Sequence, residues 1–179
     1  MKRKIKPGLL WITGLSGSGK TTISKIVVKK LKKKYSNIIH IDGDKIRSKL
    51  NIKNKKSFTN SFRTEIGLKY VKICKQTIQK NKYVVISTMA LIKRVQTEYK
   101  KIRNSKDVFL DVPLKELIKR DPKGLYKSFF QKKIKNMVGL DINYDKPLKP
   151  TLIIKWNKNL TALKISKKIL KLFNKFETK

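Results

Sequence analysis

Residues 8–22 read GLLWITGLSGSGKTT, and this stretch decides the fold. Its first part, residues 8–13, is a short apolar run, which predicts a buried strand. Residues 14–21 fit the pattern G-x-x-x-x-G-K-[ST], and apolar residues then recur at helical spacing over residues 23–31. A glycine loop between a strand and a helix is the setting that this phosphate-binding pattern requires, so the stretch predicts a nucleoside triphosphate site.

Each residue type in this loop has a physical role in binding a triphosphate. Glycines allow backbone N–H groups to turn inward around the phosphates, and the start of the helix adds partial positive charge. Lys20 is expected to reach the β- and γ-phosphates as a catalytic cation, and the Thr21 hydroxyl is expected to bind Mg²⁺. The residues predicted to hold the nucleoside triphosphate are Gly14, Ser16, Gly17, Ser18, Gly19, Lys20, Thr21 and Thr22.

The rest of the chain alternates strand-like and helix-like segments. Further apolar runs lie at residues 38–41, 83–87, 108–112 and 151–154, and amphipathic segments lie at 62–79, 93–103, 113–120 and 160–173. This alternation predicts an α/β fold: a doubly wound parallel sheet of about five strands with helices on both faces, typical of P-loop NTPases and kinases. The length favours one domain over residues 1–179. Residues 121–150 are polar and without a clean period, and we expect them to form a lid.

Two carboxylates follow the second predicted strand. Asp42 and Asp44 come directly after its apolar run, and the carboxyl ends of neighbouring parallel strands line one crevice, so both should face the glycine loop. Carboxylates there can organise Mg²⁺ or accept a proton from an attacking hydroxyl, so both are catalytic candidates and Asp42 is a metal candidate. Arg47 is suited to bind a second phosphate group. The alternative is an ordinary surface turn around Asp-Gly.

The composition is strongly basic: 47 Lys and Arg stand against 11 Asp and Glu, a formal charge of +36. Six of the basic residues are Arg and the others are Lys spread along the chain, which favours solvated lysine faces over a dedicated nucleic-acid surface. One Cys excludes a disulfide framework, and no apolar run reaches the ~18 residues that span a membrane. We therefore expect a cytoplasmic protein without specific nucleic-acid or membrane partners. The alternatives from other classes are a P-loop protein that binds nucleic acid and a regulatory domain that binds nucleotide without catalysis.

Taken together, these segments resemble the adenylylsulfate kinase (APS kinase) family. The matching segments are WITGLSGSGKTT at 11–22, IDGDKIR at 41–47, FLDVPLKELIKRDPKGLY at 109–126, IKNMVGLDINYDKP at 134–147 and PTLII at 150–154. The combination is more selective than any single motif. The resemblance implies an enzyme that uses ATP and Mg²⁺ to phosphorylate the ribose 3′-hydroxyl of adenylyl sulfate, as in sulfate assimilation. It also allows a homodimer, for which the sequence carries no interface signal.

The resemblance assigns residues on both substrate sides. Asp44 would be the base on the 3′-hydroxyl, Asp42 would support the metal and its waters, and Lys20 would contact the phosphates. Arg120 and Lys123 would join the ATP site where the lid begins. The positions that would face the acceptor nucleotide are Arg47, Phe58, Arg63, Ile66, Met137, Gly139 and Asp141.

Departures from the family pattern are concentrated on the acceptor side. Ile66 stands where the family has Asn, Met137 replaces an aromatic residue of the lid, and Ala90 falls where the family has Ser. Losing polar groups from such a site can change discrimination between substrates by orders of magnitude. A related branch phosphorylates cytidine diphosphoramidate in surface-polysaccharide (capsule) pathways, and the same chemistry on that nucleotide is the alternative function.

Overall fold

The five strands form one parallel sheet, in a computed structural model that describes residues 1–49 and 59–174. The strands are β1 (Gly8–Thr13), β2 (Ile38–Asp42), β3 (Tyr83–Ser87), β4 (Ser105–Asp111) and β5 (Leu152–Lys155), in the spatial order β2-β3-β1-β4-β5. The helices are α1 (Lys20–Lys34), α2 (Gly43–Lys49), α3 (Asn60–Gln79), α4 (Lys93–Lys100), α5 (Leu114–Arg120), α6 (Leu125–Phe130) and α7 (Ala162–Asn174). The predicted doubly wound α/β fold is confirmed.

Strand β1 is the centre of the sheet, and its side chains divide the interior into two cores. Leu10 and Ile12 point into a cluster with residues of α1 and α7, whereas Leu9 and Trp11 point into a cluster with residues of α3 and α4. Successive side chains of a strand point to opposite faces, so a strand covered on both faces is apolar throughout. All six residues of β1 are accordingly buried.

A third apolar cluster holds residues 121–150 against the phosphate loop. Tyr126, Met137 and Val138 are buried there together with Leu15 of the loop and Leu117 of α5. The Tyr126 hydroxyl donates a hydrogen bond to the Ser16 carbonyl at 3.2 Å. This segment therefore packs directly on the loop that the sequence assigns to ATP.

Several element boundaries differ from the sequence prediction. Helix α2 was not predicted from the sequence. At its start, the Asp42 carboxylate accepts the Asp44 N–H at 3.0 Å and the Tyr70 hydroxyl donates to the Gly43 carbonyl at 2.9 Å. Helix α6 lies inside the segment for which no period was found. Strand β4 begins three residues earlier than predicted, because the polar run 105–107 pairs with β1. None of the described helices combines the length and the apolarity needed to cross a bilayer.

Candidate active site

The phosphate loop connects β1 to α1, and its backbone conformation requires glycine. Gly17 and Gly19 have φ angles of 77° and 89°, in the left-handed region that disfavours other residues. A side chain at Gly14 would place its Cβ 2.8 Å from the Ser18 Oγ and 2.9 Å from the Leu110 carbonyl oxygen. The loop therefore requires glycine for two reasons: the φ angles at Gly17 and Gly19, and the lack of space for a Cβ at Gly14.

Lys20 begins α1 and turns back over this loop. Its Nζ donates a hydrogen bond to the Leu15 carbonyl at 2.7 Å. Burial lowers the pKa of Lys20 to about 7, against an opposing effect of the Asp44 charge. The Ser18 hydroxyl is also buried and has no hydrogen-bond partner among the described residues. Thr21 and Thr22 follow in the first turn of α1, half-buried and exposed respectively. The loop thus presents donors whose partners would come from a bound phosphate group.

The two predicted carboxylates lie at the junction of β2 and α2, as the sequence indicated. Asp42 is buried and pairs in register with Ser87 of β3. Asp44 forms ion pairs with Arg47 of α2 and with Lys123, which lies 79 residues further along the chain. Burial by itself would raise the pKa of Asp44, but the hydrogen bond from Lys123 and the charge of Arg47 lower it to about 2. Asp44 is therefore ionised throughout the physiological pH range.

A cavity of about 260 Å³ joins the phosphate loop, the carboxylate and the lid segment. Its lining includes Ser16 and Lys20 from the loop, Asp44 and Arg47 from α2, Arg63 from α3, and Lys123 and Met137 from residues 121–150. Leu125 and Ile134 also line it, and the sequence analysis missed both because the segment that carries them has no regular period.

A smaller cavity of about 30 Å³ adjoins the first, and Arg47, Arg63 and Met89 line both. Ile66 lies in its wall. Burial and the charge of Arg47 lower the pKa of Arg63 to about 10. One terminal nitrogen of Arg63, Nη1, is buried without a hydrogen-bond partner among the described residues. Two guanidinium groups that line the same two cavities offer hydrogen-bond donors to an anionic ligand.

Two predicted acceptor residues, Gly139 and Asp141, are not among the described residues that line these cavities. Asp141 accepts hydrogen bonds from the N–H groups of Asn136 and Met137, so it shapes the loop that carries Met137. Gly139 has a φ of 89° and packs near Leu15. Phe58 lies outside the described residues.

A third cavity, of about 30 Å³, adjoins Ser18 of the phosphate loop. Ser18 and Arg120 line it with Trp156 and Asn157, which follow β5. The Trp156 indole nitrogen is buried without a hydrogen-bond partner among the described residues. Arg120 and Lys123, which the family resemblance assigned together to ATP, therefore line different cavities. Trp156 and Asn157 were missed, although their place at the carboxyl end of a strand was a usable signal.

A phosphate loop at the end of the central strand, with a carboxylate and paired arginines across a shared cavity, defines a P-loop kinase. The family model for adenylylsulphate kinase matches residues 6–155, and the chain belongs to this family. It is accordingly an ATP-dependent nucleotide kinase.

Two relatives with different substrate specificities are similar to this chain. The chain is 37% identical over 145 residues to the cytidine diphosphoramidate kinase of Campylobacter jejuni, covering 80% of this chain and 84% of the relative. It is 32% identical over 157 residues to the adenylyl-sulfate kinase of Pseudomonas aeruginosa, covering 86% and 79%. Both substrate specificities named in the sequence analysis thus occur among proteins similar to this chain.

The solved structures agree on the fold. The Mycobacterium tuberculosis APS kinase CysC in complex with AMPPNP and APS superposes with a TM-score of 0.84 at 26% identity, covering 94% of this chain and 98% of that one. A gluconokinase from Sinorhizobium meliloti shares the fold at a TM-score of 0.66 and 18% identity.

Proposed function

We propose that this protein transfers the γ-phosphate of ATP to the ribose 3′-hydroxyl of a nucleotide. The observation that carries the proposal is that Lys20 and Asp44 line one cavity together with Arg47 and Arg63. A phosphate donor on the loop and a hydroxyl near Asp44 would meet in that cavity, while the arginines hold the anionic end of the acceptor nucleotide.

On the donor side, the loop of residues 14–19 with Lys20, Thr21 and Thr22 would bind the triphosphate of ATP. The described residues contain no cluster of three or more His, Cys, Asp or Glu side chains, so no all-protein metal cage is present among them. Mg²⁺ fits this arrangement, because it keeps several waters and needs only one or two protein oxygens, here from Thr21 and Asp42. When bound, it neutralises charge on the β- and γ-phosphates. Arg120, with Trp156 and Asn157, would enclose the far end of ATP.

Asp44 would orient the attacking hydroxyl and accept its proton. Its low pKa makes it a weak base, but phosphoryl transfer through a loose transition state demands positioning more than base strength. Lys123 would leave Asp44 when the phosphates of ATP offer it a stronger partner. Residues 121–150 would close over both substrates as a lid and exclude water. Gly139 and Asp141 would keep the loop carrying Met137 in shape.

Two acceptor nucleotides are candidates. Membership of the family favours adenylyl sulfate, with Ile66 and Phe58 among the residues facing it. A specific observation favours cytidine diphosphoramidate: the apolar Ile66 and Met137 line the two cavities at positions where the family pattern has polar or aromatic residues. The 37% identity with the Campylobacter jejuni enzyme agrees with that choice. The first acceptor would place the protein in sulfate assimilation and the second in capsule biosynthesis.

The test is a kinase assay with ATP and each nucleotide. The site of phosphorylation is read by ³¹P NMR of the product, and kcat/KM is compared between the two acceptors. Phosphorylation of the 3′-hydroxyl of either nucleotide supports the proposal. ATP hydrolysis without transfer to any nucleotide would refute it, and a higher kcat/KM for adenylyl sulfate would exclude the cytidine acceptor.

The remaining parts of the proposal concern the setting of the enzyme. We expect residues 1–179 to act as one kinase domain in the cytoplasm, where ATP is available, without a specific nucleic-acid or membrane partner. A homodimer is also proposed, since edge strand β5 and helix α7 expose the large apolar side chains of Ile153 and Leu163. Light scattering at micromolar concentration tests the dimer, and duplex binding at physiological salt tests the expectation about nucleic acid.

A further inference from the structure

The smaller of the two joined cavities holds four polar side chains in an otherwise apolar wall. These are Arg47, Arg63, Tyr70 and Thr88; the other side chains in the lining include Ile66, Ala90 and Ile92. With a volume of about 30 Å³ against about 260 Å³ for its neighbour, it suits a small terminal group, whereas the larger cavity suits a nucleoside. Because both arginines line both cavities, such a group would be the anionic end of the nucleotide that the larger cavity holds.

The hydrogen-bonding capacity of these four side chains is unequal. Arginine can only donate, and a threonine hydroxyl can donate or accept. The Tyr70 hydroxyl has a single proton, which it donates to the buried Gly43 carbonyl at 2.9 Å, so its oxygen can only accept a further bond. Burial raises the pKa of Tyr70 to about 12, so the phenol keeps this proton. Turning the hydroxyl toward a ligand would leave the Gly43 carbonyl without that partner.

We infer that Tyr70 is a specificity-determining residue that selects an acceptor nucleotide whose terminal phosphate carries an N–H group. The inference rests on the proposed function. Arg47 and Arg63 would bind the charged oxygens of that phosphate, and the Tyr70 oxygen would accept a hydrogen bond from its amino group. A terminal sulfate or an ionised phosphate has only oxygen acceptors. Its oxygen and the Tyr70 oxygen would therefore face each other with no hydrogen between them, which is unfavourable. The ligand class is therefore a nucleoside diphosphoramidate.

The location of Tyr70 explains why this selection would act near the reaction centre. Its charge environment includes Arg47, Asp44 and Asp42, and its hydrogen bond holds the first residue of α2, the helix that carries Asp44. A residue that only positioned α2 would affect every acceptor nucleotide equally. A residue that contacts the terminal group would change the ratio of the kcat/KM values for two nucleotides that differ only in that group.

The experiment measures this ratio. Cytidine diphosphoramidate and CDP differ by one NH₂ group in place of oxygen, and adenosine diphosphoramidate and ADP repeat the comparison with another base. We expect the wild-type kcat/KM to favour the amidate by about tenfold or more with either base. In Tyr70→Phe, which removes only the hydroxyl, the ratio should fall to within about threefold of one. Tyr99→Phe is the matched control, because it removes a buried hydroxyl bound to Asp107 away from the cavity, and its ratio should equal that of the wild type.

A second variant keeps the test decisive if Tyr70→Phe does not fold. Thr88→Val removes the other hydroxyl of the cavity and leaves Tyr70, so the preference for the amidate should persist. The inference is overturned if the wild type treats amidate and diphosphate alike, if Tyr70→Phe keeps the preference, or if Thr88→Val abolishes it. Absence of transfer to any nucleotide, adenylyl sulfate included, would overturn the proposed function and this inference with it. Equal transfer to both partners of a pair would overturn this inference alone.

Discussion

The pKa of Lys20 predicts that ATP binding weakens as the pH rises through neutrality. A free lysine is protonated up to about pH 10.5, whereas burial in the phosphate loop lowers the pKa of Lys20 to about 7. The phosphates of ATP bind the charged form, so the apparent Kd should scale with 1 + 10^(pH − 7). Between pH 6 and pH 8 this factor rises about tenfold. The unfolded chain keeps the proton in this window, so the stability contribution of Lys20 to the free protein rises with pH from about 7 to 10.5.

Isothermal titration calorimetry of ATP binding at several pH values measures this effect. ATP itself becomes more anionic over the same range, which acts in the opposite direction, so a matched variant is needed. Lys20→Arg keeps the positive charge at every pH and reports the ligand contribution alone. The wild-type Kd should therefore weaken by about tenfold relative to that of Lys20→Arg between pH 6 and pH 8, with proton uptake on binding. Parallel pH profiles for the two proteins would show that Lys20 is fully protonated in the free enzyme and would refute the reasoning.

Three further predictions concern the catalytic carboxylate, the phosphate loop and the contact between Asp145 and the start of α4. Asp44→Asn should lower kcat by about 10²–10⁴-fold while the Kd for ATP stays within about threefold of wild type; near-normal turnover in a single-turnover assay would exclude Asp44 as the base. Gly14→Ala forces a Cβ to within 2.9 Å of the Ser18 hydroxyl and the Leu110 carbonyl. Calorimetry should therefore show that the affinity for ATP falls by about tenfold or more. An unchanged Kd would contradict the tight packing around Gly14. Asp145 accepts the Lys93 N–H at 2.6 Å and so caps the start of α4. Asp145→Ala should therefore lower the free energy of unfolding, measured in urea, by about 1 kcal/mol. An unaltered midpoint of the urea transition would argue against this capping role.

Much of the fold was readable from local pattern. The apolar runs located all five strands, and the motif correctly placed a glycine loop between a strand and a helix, because both signals come from residues adjacent in the chain. The short helices α2 and α6 were not readable. Helix α2 depends on a hydrogen bond from Tyr70, and α6 begins next to Asp121, whose carboxylate accepts the N–H groups of Tyr126 and Lys127. Neither helix is long enough to show a period, so tertiary and capping contacts decide them.

The sequence by itself determined that this protein has a parallel α/β fold and carries two carboxylates at the end of its second strand, and it predicted that residues 14–21 bind a triphosphate. Only the tertiary structure decided which side chains meet. It brings Lys123 to Asp44 across 79 residues, places Arg120 and Lys123 in the linings of different cavities, and places Tyr70 against Gly43 beside two arginines. The physical reason is that periodicity reports which face of an element is buried, whereas the partner of that face depends on how the elements pack.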